Sequence, residues 1–123
     1  MKIILAIGTG SFLGGIFRYL LSASLNARYL SSFPFGTMIV NISGCFLIGI
    51  VYGFFEKGMI SPDWKLFLAT GLLGGFTTFS AFSIETIGLL RVGQLGYAAA
   101  YVSASVIVGL LATLVGIFLI KLF

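Results

Sequence analysis

The sequence predicts an all-α membrane protein of four transmembrane helices, the third broken mid-membrane, paired as an antiparallel dual-topology homodimer. Three observations carry the four spans and the break in the third. Of the 123 residues, 59% are hydrophobic and 8% charged. A soluble domain carries roughly 25% charged residues, so this chain could not cover a water-facing surface; its mean hydropathy is +1.19. Short polar loops divide it into four apolar stretches, each long enough to span a bilayer at about 20 residues per crossing. The third stretch, Lys65 to Leu90, holds adjacent glycines at Gly74 and Gly75 and, between Thr70 and Glu85, five hydroxyls (Thr70, Thr77, Thr78, Ser80, Ser83) with Glu85 itself where lipid would prefer leucine. Adjacent glycines weaken a helix. Irregular backbone at membrane depth is tolerated only where protein buries it or where it borders a watery cavity. An intramembrane carboxylate, by default, marks a transport pathway. The third span therefore reads as a broken helix beside an ion path.

Composition also excludes. The formal charge of +4 is spread thinly, which gives a nucleic-acid partner no support. With one cysteine and no histidine, a disulfide framework, a zinc site and His-based catalysis are ruled out within a single chain. The apolar character that begins at Ile3 continues past Leu20 without a clean cleavage site, so the first stretch is expected to be a retained span and not a signal peptide.

The first span runs from about Ile3 to Leu25. Gly8-Thr9-Gly10 opens like a dinucleotide loop but lacks strand–turn–helix context. In an apolar helix, Gly8, Gly10, Gly14 and Gly15 instead let backbones approach closely. Arg18 lies about 22 Å along the helix from Ile3. Two readings stand for it: a side chain snorkelling to headgroups, or a cation at the mouth of an anion path.

Asn26 to Pro34 is a loop, and the second span runs from Phe35 to Phe55. Thr37, Asn41 and Cys45 recur at i, i+4, i+8 and share a face. Asn41 reads first as interhelical glue and second as an amide donor to a passing anion. Gly49 and Gly53 form a packing pair.

Glu56 to Asp63 is the second loop. Ser61-Pro62-Asp63 looks like an N-cap, a proline at the first helical position and a first-turn acid, so the third helix should start there. Trp64 fits an interfacial aromatic belt. Phe76, Phe79 and Phe82 recur every three residues and would line one side wherever the backbone is helical, with hydroxyls interleaved. Glu85 could hydrogen-bond to a neighbouring helix. Arg91, Gly93 and Gly96 make a turn into the fourth span, Tyr97 to Ile120. There Tyr97, Tyr101, Ser105, Gly109 and Thr113 form an i+4 ridge that must face protein or water.

With four spans, the termini and middle loop share one side, holding Lys2, Lys57, Lys65 and Lys121. The other side holds Arg28 and Arg91, plus Arg18 if it snorkels there. Four against three is a weak positive-inside bias, and the chain could insert either way round. Four short helices are too few to enclose an aqueous pore. If both orientations occur, an antiparallel homodimer is the natural closed arrangement.

At these residues the chain strongly resembles the small bacterial fluoride channels, the Fluc or CrcB family. Gly74-Gly75-Phe76-Thr77-Thr78-Phe79-Ser80-Ala81-Phe82-Ser83 is similar to that family's third-helix signature, with Ala81 standing where threonine is usual. Gly36-Thr37-Met38-Ile39-Val40-Asn41 resembles its second-helix motif and Gly14-Gly15-Ile16-Phe17-Arg18-Tyr19 its first. The resemblance covers the whole chain in length, span count and motif order. It implies an antiparallel dual-topology dimer in the bacterial inner membrane, with two fluoride paths that passively relieve fluoride toxicity. It further implies one structural sodium ion (Na+) at the dimer centre, held by the backbone carbonyls of Gly74 and Thr77 from each subunit. Asn41, Phe79, Phe82, Ser83 and Tyr101 would line the paths, with Thr37 and Ser105 as further hydroxyls. Glu85 would lie near a path and Arg18 at its vestibule. The chemistry is consistent. Fluoride holds water tightly, so its shell must be replaced by amide and hydroxyl donors, and the positive edges of Phe79 and Phe82 can meet a dehydrated anion. Sites must be favourable enough to enter and weak enough to leave.

Two other classes compete. A small proton-coupled exporter, also four-span and dual-topology, needs an exchanging carboxylate, typically in its first helix; here that helix carries Arg18 and no acid. A purely structural subunit leaves the hydroxyls among the phenylalanines unexplained. No nucleophile–base pair suggests an enzyme.

Overall fold

Four apolar helical stretches cross in alternating directions in the computed structural model, which describes residues 1–123. Helix α1 (Lys2–Arg28) and α2 (Phe35–Glu56) are the first two spans. The third span, Pro62–Arg91, is composite. It begins as α3 (Pro62–Lys65), widens into a π-helical stretch Leu66–Leu73, and returns to one turn of α-helix, α4 (Gly74–Phe76). Thr77 (φ −84°, ψ 158°) and Thr78 (φ −150°, ψ 119°) are extended, and α5 (Phe79–Arg91) follows. The last span is α6 (Leu95–Leu122).

The Ser61 side chain accepts from the Trp64 N–H at 3.4 Å, so the third span starts at the expected cap. Gly58 (φ 68°) and Gly93 (φ 78°) supply the left-handed residue that ends α2 and α5. The turn into α6 is Val92–Gly93–Gln94, and Gly96, expected in the turn, is helical.

Alternating direction makes α1 parallel to the third span and α2 parallel to α6, and these are the two most extensive pairings. Both rest on small residues. A Cβ on Gly10 would lie 2.8 Å from the Leu72 nitrogen and the Phe67 oxygen, and one on Gly14 would collide with the Leu72 carbonyl. Across α2 and α6, Gly49 faces the Thr113 carbonyl, and a Cβ on Gly53 would lie 2.8 Å from Ile120 Cβ. The Thr113 hydroxyl donates to the Cys45 carbonyl at 3.0 Å. The ridge expected on the fourth span thus beds largely against α2.

The double glycine behaves differently from the expectation that the backbone opens there. Gly74 keeps helical dihedrals (φ −63°, ψ −37°), and the extended residues come three positions later. A Cβ on Gly75 would lie 2.8 Å from Ser11 Cα, so this glycine serves close approach to α1. The Ser11 hydroxyl donates to the Gly71 carbonyl at 3.3 Å. Because Thr77 and Thr78 are extended, Phe76 turns into the core while Phe79 is 80% exposed, and the three phenylalanines do not form one stripe.

Only 18 of 123 residues are buried, so the chain has little core of its own and turns most of its apolar surface outward. Val40 and Tyr101 are its two fully buried large side chains, one in each small cluster.

Candidate functional site

The extended pair Thr77–Thr78 leaves backbone groups that helix would have paired, and Asn41 on α2 takes up two of them. Its Nδ2 donates to the Thr78 carbonyl at 2.9 Å, and the Thr78 N–H donates to its Oδ1 at 2.8 Å. Thr78 also caps α5, its hydroxyl accepting from the Ala81 N–H at 3.2 Å. Because the Thr78 N–H goes to Asn41, the Gly74 carbonyl loses its helical donor. The Thr77 carbonyl meets the Arg18 guanidinium at 3.5 Å. Arg18 therefore turns inward toward the interruption and does not snorkel to headgroups.

One turn further along α5, Glu85 is held from two helices. The Thr37 hydroxyl donates to Oε1 and the Tyr101 hydroxyl to Oε2, each at 2.7 Å. Both oxygens are thus occupied, and both hydroxyl protons are spent on the carboxylate. Tyr101 is fully buried, with its ring 5.2 Å from Phe82 and 5.7 Å from Phe33.

Two grooves meet at Thr78. The wider, 760 Å³, is walled by Arg18, Ser22, Thr37, Thr78, Ser80 and Glu85 among others. The narrower, 340 Å³, includes Asn41, Gly74, Thr77, Phe79, Phe82 and Ser105. Phe79 and Phe82 stand 5.5 Å apart at 41°. The Ser105 hydroxyl oxygen is buried without a hydrogen-bond partner. Asn41 keeps one N–H free of Thr78. The structure therefore gathers Asn41, Phe79, Phe82, Ser105, Gly74 and Thr77 around one groove, and Arg18, Thr37 and Glu85 around the other. Ser83 lines neither and sits on the exposed side of α5. Ala81 is a wall of the wider groove and brings no hydroxyl.

Two residues carry more of the geometry than their sequence positions suggested. Thr78 joins both grooves, caps α5 and pairs with Asn41. Ser80 adds a hydroxyl to the wider groove and lies 3.2 Å from the Thr78 hydroxyl. The signal available was an N-cap pattern ahead of an apolar helical run.

A family model described as CrcB-like protein, Camphor Resistance (CrcB), matches residues 5–117. The chain belongs to the CrcB family. The match takes in most of every span of this CrcB chain. It is 47% identical over 122 residues to a protein of Flavobacterium psychrophilum named fluoride-specific ion channel FluC, covering 98% of each chain. It is 44% identical over 122 residues to a protein of the same name from Rhizobium meliloti, again covering 98% of each. A third, from Methylobacillus flagellatus, is 46% identical over 122 residues, covering 97% of this chain and 94% of the relative. With four membrane-length helices, this CrcB chain is a multi-pass membrane protein.

Proposed function

We propose that this chain forms a fluoride channel that lets fluoride leave the cell passively across the inner membrane, relieving its toxicity. The reading has two fluoride paths in an antiparallel dual-topology homodimer. It is a channel and not an enzyme. Its CrcB relatives named fluoride-specific ion channel FluC support the ion.

One observation supports the assembly above the others. At mid-span Gly74, Phe79, Ser80 and Ser83 are all exposed on the single protomer, next to two residues of non-helical backbone. Lipid cannot satisfy hydroxyls and open backbone, so a second copy is the natural cover.

An anion entering the wider groove meets the Arg18 guanidinium and the hydroxyls of Thr78 and Ser80, which substitute for part of its water shell. Past Thr78 it meets the remaining Asn41 N–H, the unpartnered Ser105 hydroxyl and the edges of Phe79 and Phe82. Ring edges attract an anion weakly, which favours passage over trapping. Ser83 joins these donors where the partner covers α5. Thr37 and Tyr101 act through Glu85, each donating to one of its carboxylate oxygens.

A central sodium ion is part of this reading. Hard oxygen ligands suit such an ion, and open-backbone carbonyls hold sodium in other transport folds. The Gly74 carbonyl, without a helical donor and on an exposed residue, fits that role, whereas the Thr77 carbonyl already accepts from Arg18 and would have to exchange that contact for the ion. When bound, sodium supplies a fixed positive charge at the subunit junction.

The test is efflux from fluoride-loaded liposomes after a potassium ionophore relieves the membrane potential. Rapid fluoride release with chloride retained is expected. Efflux that demands a proton gradient would instead favour the exporter reading, in which Glu85 is the exchanging acid.

A further inference from the structure

Tyr101 reaches the Glu85 carboxylate with the far end of its ring, so the bond forms only if the ring is held at the right angle. An O–H···O bond is good over only about 2.5–3.0 Å, and a modest swing of the ring breaks it. Two rings bear on Tyr101. Phe82, from α5, lies 5.2 Å away at 42°, and it is itself a wall of the narrower groove, with open space beside it. Phe33, from the α1–α2 loop, lies 5.7 Å away at 84°, edge to face. The same Phe33 ring meets Tyr97, one turn earlier on α6, at 5.8 Å and 88°, and stands 4.7 Å from Phe35 at the start of α2. Its main chain is pinned as well. The Phe33 N–H donates to the Ser31 hydroxyl at 3.1 Å, its carbonyl accepts from the Phe35 N–H at 2.9 Å, and Pro34 restricts the backbone next to it. The buried cluster beneath is small, with Leu89, Ala98 and Tyr101 as its members. An aliphatic side chain would cover that cluster equally well. What it would lack is a flat ring whose edge meets the Tyr101 face and sets its angle.

We propose that Phe33 is a positioning residue of the fluoride path, fixing from the α1–α2 loop the angle of the Tyr101 ring and, through it, the place of the Glu85 carboxylate. The proposal rests on the fluoride-channel reading. Glu85 is a wall of the wider groove, so where its charge rests decides what an anion meets there. Of its two donors, Thr37 is buried in the first turn of α2 and carries a short side chain that the helix itself holds in place. The Tyr101 hydroxyl depends on a longer side chain that turns about two bonds, and Phe33 takes up that freedom. Phe33 is a wall of neither groove, so it acts through Tyr101 and not on the ion.

The experiment is a cycle of four full-length channels in liposomes: wild type, Phe33→Leu, Tyr101→Phe and the double variant. Fluoride efflux per folded protein and thermal unfolding in detergent are measured for each. Phe33→Leu should slow efflux about fivefold or more, the effect of one misplaced hydrogen bond, and Tyr101→Phe should do the same. With the hydroxyl gone Phe33 has nothing left to place. The double variant should therefore match Tyr101→Phe in efflux within about twofold, while still losing stability. A residue that only covers the core would slow efflux by the same factor in both backgrounds, or in neither. Either result overturns the proposal, as does a wild-type rate in Tyr101→Phe. If Phe33→Leu does not fold, Ser31→Ala takes its place in the cycle. It frees the Phe33 N–H in an exposed part of the loop and should slow efflux only where the Tyr101 hydroxyl is present; a wild-type rate there overturns the proposal. In each of these outcomes the wild type still passes fluoride and the channel reading stands. A wild type that passes none overturns both.

Discussion

The carboxamide of Asn41 and the main chain of Thr78 exchange two hydrogen bonds, at 2.9 and 2.8 Å, across 37 positions of sequence. A side chain here does what a neighbouring β-strand does elsewhere: it accepts an N–H and donates to the same residue's carbonyl.

Replacing Asn41 by leucine strands both backbone groups of Thr78. Each unsatisfied buried group costs about 1–3 kcal/mol, so a loss of roughly 2–6 kcal/mol is expected. Asn41→Asp keeps the acceptor and should lose about half of that, yet it places a negative charge on the groove lined by Phe79 and Phe82. Thermal stability should therefore rank wild type, Asp, Leu, while efflux should be lowest in Asp of any folded variant. An Asp variant with normal efflux would remove Asn41 from the ion's surroundings.

Tyr101→Phe keeps the ring against Phe82 and removes only the hydroxyl on Glu85 Oε2. Thr37→Val does the same at Oε1. A hydrogen bond to a charged group contributes about 1.5–3 kcal/mol. Because both hydroxyls serve one carboxylate, the double variant should depart from the sum of the singles by more than about 0.5 kcal/mol. Denaturation in detergent measures this, and strict additivity would mean that Glu85 is held by something else.

Phe79 and Phe82 separate conduction from folding. Phe79 is 80% exposed on the single chain, so Phe79→Ile should change the stability of that chain by less than about 0.5 kcal/mol. Phe82→Ile gives up a ring contact at 5.2 Å with Tyr101, worth about 0.5–1.5 kcal/mol. Both should slow fluoride efflux by more than tenfold. Normal flux in both would take the rings out of the mechanism.

Span number, the Ser61 cap and the packing role of Gly49 and Gly53 were legible because each rests on composition or local spacing. The exact interruption in the third span was not. A glycine pair loosens a helix or admits a close neighbour, and only Ser11, packed on Gly75 from another span, shows which use Gly75 has. The π-helical stretch Leu66–Leu73 left no mark in an apolar run that suits either helix type. Arg18 could snorkel or turn inward until the Thr77 carbonyl showed an inward partner. Thr78 stayed inconspicuous for the same reason: its partner Asn41 lies on a different span.

The small residues of α1 contain their own control. Gly8→Ala and Gly15→Ala add a methyl group that meets nothing within 4 Å. Gly14→Ala drives one into the Leu72 carbonyl, and Gly10→Ala puts one 2.8 Å from two backbone atoms. Overpacking costs about 1–3 kcal/mol, so the second pair should lose stability while the first matches wild type. Equal behaviour of all four, read by thermal unfolding in detergent, would mean that α1 does not sit against the third span this way.

Charge balance gives the sharpest test of opposite insertion. On the side of the termini, Lys121 pairs with Glu56 at 3.1 Å, and Lys65 lies 4.5 and 4.2 Å over the Tyr52 and Phe55 rings. Lys2 and Lys57 are the remaining lysines there, against Arg28 and Arg91 on the other side, so removing two cations should tip insertion decisively. Arg28→Gln with Arg91→Gln should orient every copy one way, and Lys2→Gln with Lys57→Gln the other. Each double variant alone can then offer only parallel neighbours, and fluoride efflux from cells should collapse. Co-expression restores opposite orientations, and with them the exposed faces around Gly74, Phe79 and Ser83 find their matching cover, so efflux should return. Full efflux from either variant alone would show that one orientation suffices, and the antiparallel dimer would have to be given up.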